Sequence, residues 1–440
     1  MSSKKIPYSK GLPIFGHAIG YKKNRLKVLS QLRDRHGPIF KVRIGPRHII
    51  VITESDYLKH IMQTNMKNYI KKTNFEQIFG QSVFIANGEE WKQQRNLIQP
   101  LLSTQYLNNS IEQFAILAQK NIDFFFKNKN TGQDLRELFT KTTFDIILKC
   151  IIGLDYFESY KTIDRALFTL TDYLANDNYK ILPIPKQWDK KKQKFEKALR
   201  EVNLIIDESI NKSKTENSHF SLASILVQAA QQSVNFSKNK NFIRDNIFTL
   251  MFAGYETSAL TLTWCCYNLS QNQDWQNKCI EEAKSFNNTD ISIDSLKRIP
   301  AIESCLLETM RLYPPGWGFT RVAVEDDQID GYHISQGDII LISPYLSHRS
   351  TQTWDDPNSF QPQRFIGKSL SDLGRFNYLP FGAGPRICSG MQFGIIEMKV
   401  IMLYLLKNYR VELTGEHPIL DARATIYSKN NYQLKLIKHP

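Results

Sequence analysis

The decapeptide FGAGPRICSG, residues 381–390, constrains this chain more than any other stretch. Gly384, Pro385 and Gly390 surround Cys388 and can turn the backbone so that amide N–H groups point at the sulfur. Such donors, with nearby positive charge, hold a thiol below its free value of about 8.5. Arg386 stands two residues away, placed to meet an anionic group of whatever the sulfur binds. Residues 390–406 carry apolar side chains at helical spacing, which puts the sulfur at a helix N-terminus, where the dipole favours negative charge. A small buried cysteine in a Gly/Pro turn is the common arrangement. Five constrained positions in one decapeptide (Phe381, Gly384, Arg386, Cys388, Gly390) set this loop apart.

Around that loop the pattern is mostly helical, with strand signals at both ends. Residues 39–45 and 48–53 alternate like two strands about the turn Gly45-Pro46-Arg47, and Ser55 is placed to cap a short helix. Residues 330–345 suggest a hairpin, and residues 432–437 a last strand. Between them run amphipathic stretches at 135–152 and 195–210, and a longest one at about 242–269. Polar stretches at 127–132, 186–194 and 211–219 read as surface loops or frayed helix ends, too short for linkers. The expectation is one interleaved, predominantly helical α+β unit spanning residues 1–440.

Three further constellations carry chemistry. The longest helical run contains AGYETS, residues 253–258. Gly254 costs about 1 kcal/mol relative to alanine in a helix interior, and the Thr257 hydroxyl can take a backbone carbonyl and bend the helix. Leu250, Ala253 and Thr257 share one face, and an acid beside an alcohol suits proton relay through water. An ordinary amphipathic helix with a glycine packing contact has the same appearance. ETMR, residues 308–311, puts Glu308 and Arg311 on one helix face. Its apolar surroundings imply a buried pair needing more hydrogen bonds, with Arg364 a candidate third member; a surface i,i+3 pair is the plainer alternative. In WKQQR, Trp91 and Arg95 lie four apart, an indole N–H and a guanidinium that together suit a carboxylate.

The cysteine loop resembles the haem-binding loop of the cytochrome P-450 family, and the other motifs follow in that family's order across nearly the whole chain. The resemblance implies the family's fold, with a long central helix over haem b and small sheets near the N-terminus and in the C-terminal half. It makes Cys388 the axial iron ligand, Phe381 a shield of the sulfur, and Gly382 and Gly390 parts of the haem loop. Arg386, Trp91, Arg95 and Arg321 become contacts of the haem propionates, although a lone arginine such as Arg321 is as often a solvated surface residue. Ala253 and Gly254 would border the O2 site, Glu256 and Thr257 would deliver protons, and Glu308, Arg311 and Arg364 would be structural. Gln363 departs from the acid the family often has there, without touching the chemistry.

The implied activity is a monooxygenase that uses O2 and two external electrons to hydroxylate or epoxidise a hydrophobic small molecule such as a fatty acid, terpenoid or steroid. Leu250, Gly316, Trp317, Phe79 and Phe84 would line its pocket. The six cysteines offer no cluster spacing for an iron–sulfur group and resemble reduced core thiols. Electrons would therefore come from a separate ferredoxin or flavodoxin with its reductase, docking on a basic face near Lys92 and Lys399. A peroxygenase or hydroperoxide isomerase is the enzymatic alternative, against which the Glu256–Thr257 pair argues. A gas sensor or haem carrier is the non-enzymatic one and would leave that pair without a task.

The net charge of +14 fits an anionic membrane surface, an acidic protein or simply a lysine-rich exterior. It comes without a nucleic-acid-binding motif, so no nucleic-acid partner is expected. No signal peptide or span-length apolar run is apparent, and a cytoplasmic monomer is expected. Residues 181–192 set apolar side chains beside lysines, as interfacial segments do; a charged surface loop is the blander account and the favoured one.

Overall fold

The computed structural model describes residues 4–128, 134–153, 160–177, 189–215, 222–232, 241–287, 291–368, 370, 372–430 and 432–439. Most of the segment at 181–192 and parts of the three polar stretches lie outside them. The longer helices are α1 (Ala18–His36), α2 (Gly88–Ile98), α3 (Thr104–Asn128), α4 (Leu135–Ile147), α5 (Tyr160–Asp177), α6 (Lys190–Thr215), α7 (Leu222–Gln232), α8 (Phe242–Gln271), α9 (Gln273–Ser285), α10 (Pro300–Leu312) and α11 (Met391–Asn408). The α8 helix runs through the middle of the largest apolar core, packed against α4, α10 and α11. An interior position on all sides explains why its sequence is apolar around most of its circumference.

A six-stranded sheet packs beside this helical mass. Its strands are β1 (Tyr8–Ser9), β2 (Ile39–Ile44), β3 (Arg47–Ile52), β4 (Tyr69–Ile70), β5 (Phe319–Ala323) and β8 (Ile339–Ile342), in the order β1-β2-β3-β8-β5-β4. The β2–β3 pair is the expected antiparallel ribbon, turned by Gly45 at a φ of 59°. Glu54, not Ser55, caps the following short helix, its carboxylate accepting from the Ser55 amide.

The hairpin expected over residues 330–345 does not form. Strand β7 (Tyr332–Ile334) pairs backwards with β6 (Asp327–Ile329) through a turn in which Asp330 and Gly331 both have positive φ. A second turn at Gly337, with φ 83°, then sends β8 into the large sheet between β3 and β5. Two turns in quick succession divide a run whose hydrophobic pattern reads as continuous. The last strands, β9 (Tyr409–Thr414) and β12 (Gln433–Lys438), pair antiparallel, with β10 (Leu420–Ala422) and β11 (Ile426–Ser428) as a small ribbon between them.

Candidate active site

The cysteine loop is held from three directions. Inside it, the Cys388 amide donates to Phe381 O at 2.9 Å and the Ile387 amide to Gly384 O at 3.0 Å. Arg95 on α2 donates through Nη1 to Ile387 O at 2.8 Å. Gly384 takes φ 68°, and a Cβ there would stand 2.2 Å from Met62 O, so the loop rests directly on the backbone of residues 60–64. Gly390 then starts α11, as the apolar spacing implies.

Cys388 is accessible to solvent although its thiol lies deep in the fold. In the protein alone, burial pushes its thiol above the usual range, while the Gly390 N–H, Arg95 and Lys71 pull the other way. The sequence expectation of a net depressed value is corrected on that point: the helpful charges and donor are present, and desolvation outweighs them.

Four cations, Arg95, Arg386, Arg321 and Lys71, lie within electrostatic reach of one another around the sulfur. Burial lowers Arg386 to about 10, helped by Arg321 and Arg95, and burial lowers Arg321 to about 10. Burial, with Arg321 and Arg386, carries Lys71 well below its ordinary value. Among the described residues no carboxylate pairs with any of these four, and Arg386 Nη1 is buried without a partner. Buried charge of one sign needs a counter-charge. The Arg386 guanidinium lies 4.4 Å over the Trp91 ring, and its other nitrogen donates to Ala86 O and to Asn87 Oδ1. Lys71 donates to Phe84 O at 2.8 Å and lies 4.2 Å over the Phe84 ring. Sequence reasoning missed Lys71, because nothing separates it from its neighbour Lys72 in NYIKKTN. Neither pattern nor composition says which of two adjacent lysines turns inward.

Ala253 is exposed in the interior of the otherwise buried α8, and Thr257, one turn on, is partly accessible. The Thr257 hydroxyl donates to Ala253 O at 2.7 Å, and the helix continues unbroken through the motif. Gly254 points elsewhere. A Cβ on it would fall 2.3 Å from Ile147 Cδ1, so the glycine lets α8 and α4 cross closely instead of widening a groove. Glu256 is buried and accepts from the Tyr427 hydroxyl. Burial raises its carboxyl to about 8, with Arg136 opposing and Asp164 adding to the rise. Glu256 and Thr257 thus face different neighbours although they adjoin in sequence.

Phe79 anchors an aromatic cluster, with ring centroids 5.7 Å from Phe84, 5.6 Å from Phe248 and 5.3 Å from Phe252. Leu250 packs partly buried against the same core. Gly316 is exposed with open space around it. Trp317 departs from its expected place: its indole N–H donates to Arg423 O at 2.8 Å, and its ring packs with Tyr21 and Leu341 in the second core, under the Arg25 guanidinium. A buried indole needs its N–H satisfied, and the β10–β11 ribbon supplies that acceptor.

Glu308 and Arg311 are fully buried and doubly bonded, Nε to Oε2 at 2.7 Å and Nη2 to Oε1 at 2.8 Å. Arg311 also donates to the carbonyls of His348, Pro357 and Ser359, and Glu308 accepts from the Gln361 amide. Arg364 Nε stands 3.5 Å from Glu308 Oε1. His348 joins this group to the approach of the cysteine loop, accepting from the Leu379 amide at 2.7 Å. Burial lowers it to about 3, so the ring is neutral.

The sequence profile described as Cytochrome P450 matches residues 6–436. The chain belongs to the cytochrome P450 family. Similar curated proteins include Cytochrome P450 97B2, chloroplastic, of Glycine max, 28% identical over 92% of this chain and 81% of that protein. Cytochrome P450 3A1 of Rattus norvegicus is 26% identical, covering 94% and 87% of the two chains. Protein LUTEIN DEFICIENT 5, chloroplastic, of Arabidopsis thaliana is 28% identical, covering 93% and 73%. In fold, the chain matches the crystal structure of a cytochrome P450DA mutant heme domain with a TM-score of 0.86 at 19% identity, covering 99% and 98%. This P450 is accordingly a haem-dependent monooxygenase. Among the described residues no helix is long and apolar enough to cross a membrane.

One expected docking feature of this P450 is corrected. Lys399 is buried and paired with Glu303 at 2.6 Å, so it offers no free charge to a partner. Lys92 is exposed, beside Glu89 at 3.3 Å.

Proposed function

We propose that this P450 hydroxylates or epoxidises a hydrophobic small molecule, with haem b on Cys388 and electrons from a separate ferredoxin or flavodoxin. The observation that carries the cofactor reading is the cluster of Arg95, Arg386, Arg321 and Lys71 around a deep, accessible thiol with no acidic partner among the described residues. Those residues fit a flat group bearing two carboxylates at one edge and a metal at its centre. Cys388 would hold the iron, and the four cations the propionates. When bound, that group supplies O2 activation, with the thiolate pushing electron density towards it.

The chain's own residues then do the rest. Phe84, Phe252 and Leu250, backed by the buried Phe79 ring, offer an apolar, aromatic surface that binds a hydrophobic substrate and excludes water. Ala253 presents only a methyl group on the accessible face of α8, leaving room beside it. The Thr257 hydroxyl, which donates to Ala253 O, would have to turn from that carbonyl to offer its proton on the accessible face. Glu256 holds a proton near neutral pH and is the acid that replenishes it. Glu308, Arg311 and Arg364 tie the core behind the cysteine loop and do not react.

The decisive measurement is the reduced, carbon monoxide-treated spectrum of purified, haem-reconstituted protein. A thiolate-type Soret band is expected, lost in Cys388→Ala. Survival of that band in the variant would overturn the assignment. Titration with lipids of several classes, read by a substrate-induced Soret shift, would then define the substrate.

A further inference from the structure

Every cysteine but Cys388 is buried, and two of the buried ones meet. Cys279 on α9 and Cys305 on α10 bring their sulfurs to 3.6 Å, and neither residue reaches solvent. The register that sets them opposite each other is fixed one turn away. There the Glu282 carboxylate accepts from the Ala301 amide at 2.7 Å and the Ile302 amide at 3.0 Å, so a side chain of α9 caps the start of α10. Cys265 on α8 is the next thiol, and it is hydrogen-bonded to Thr309. Along α10, Cys305 stands one turn ahead of Glu308, the acid of the buried Glu308–Arg311 pair.

Sulfurs at that separation touch without a bond. Closing to the about 2.05 Å of a disulfide asks each to move by less than about 1 Å. We propose that Cys279 and Cys305 are an oxidisable pair, which a two-electron oxidant joins into a disulfide that staples α9 to α10. The inference does not depend on the proposed activity. Two S–H bonds break and one S–S bond forms. The two electrons and two protons pass to the oxidant, hydrogen peroxide becoming two waters or a diazene becoming a hydrazine. With peroxide, one thiolate first takes up oxygen as a sulfenic acid, and the second sulfur displaces that oxygen as water. Burial holds the Cys305 thiol well above its usual range, so the sealed pair is protonated and inert. The bond therefore forms when α9 lifts from α10 in a local opening. Once made, it is shut away from reductants by the same packing. It also ties residues 279 and 305 together in the unfolded chain, which favours the fold.

The test uses the haem-loaded holoenzyme and diamide, a diazene with no reactive oxygen to pass to iron. After treatment, unfolding and alkylation, peptide mass spectrometry should find Cys279 and Cys305 in one linked pair. That pair should be two hydrogens lighter than the free peptides and should separate in dithiothreitol. The oxidised parent should unfold at a urea midpoint higher than the reduced parent by on the order of 0.5–1 M, a comparison that needs no variant. Cys265→Ala should link as the parent does, and Cys305→Ala should leave Cys279 unlinked. A pair that stays reduced even in urea just below the transition, a link from Cys279 to Cys265, or equal midpoints for the two forms overturns the proposal. A thiolate-type carbon monoxide spectrum before and after oxidation keeps that result separate from any failure of the haem reading.

Discussion

Glu397 lies on α11, fully buried, with neither carboxyl oxygen hydrogen-bonded among the described residues. Burial pushes it well above its ordinary 4.5, with the Ser258 hydroxyl acting the other way. The acid is therefore protonated in the fold under conditions where the unfolded chain has lost the proton. The folded state then binds more protons than the unfolded one, so stability is complete below the unfolded value and falls as pH rises towards the folded one. The slope is about 1.4 kcal/mol per pH unit for one such group. Glu397→Gln keeps the volume and removes the slope. Its buried amide, short of partners, adds a cost of about 1–3 kcal/mol that does not change with pH.

Urea unfolding of parent and variant, followed by far-ultraviolet circular dichroism at intervals between about pH 5 and 7, separates the two terms. The offset should appear at acid pH, and the variant should gain on the parent by about 1.4 kcal/mol for each unit of rising pH. Glu256 has the same sign of effect in both proteins and cancels in the difference. Stability curves that run parallel across the range would refute the reasoning, because they would mean that Glu397 is ionised in the fold.

Two other outcomes follow from packing. Gly254→Ala should destabilise by about 1–3 kcal/mol through overpacking, partly offset by a helix-propensity gain of about 1 kcal/mol. Adding Ile147→Val removes the Cδ1 atom that the new methyl meets and should recover the loss in urea midpoints; a stabilising single Gly254→Ala would contradict the close crossing. Trp317→Ala should cost about 3–5 kcal/mol while leaving substrate-induced Soret shifts in place. Altered product regiochemistry without loss of stability would return Trp317 to the pocket.

What the sequence made legible was whatever rested on local spacing. The α8 and α11 helices, the β2–β3 ribbon and the glycine-bounded cysteine loop all follow from residues within one or two turns of each other. What it hid was direction. Gly254 looked like an opening beside the oxygen face, and its real neighbour, Ile147, lies on another helix. Lys399 and Glu397 look like solvated positions on α11, yet both are buried, one paired with Glu303 and the other unpaired. Lys71 and Arg136 are ordinary cations in the chain and become distinctive only when tertiary packing sets them beside Cys388 and Glu256.

The six-stranded sheet also fixes when this protein can fold. Strands β2 and β3 are made early, but β3 takes β8 as its neighbour, Ile49 opposite Ile339. At a synthesis rate of about 5–20 residues per second, β3 waits on the order of 15–60 seconds for that partner to leave the ribosome. Until then the β3 edge has no β8 to pair with, and its backbone N–H and C=O groups stay open to any other strand.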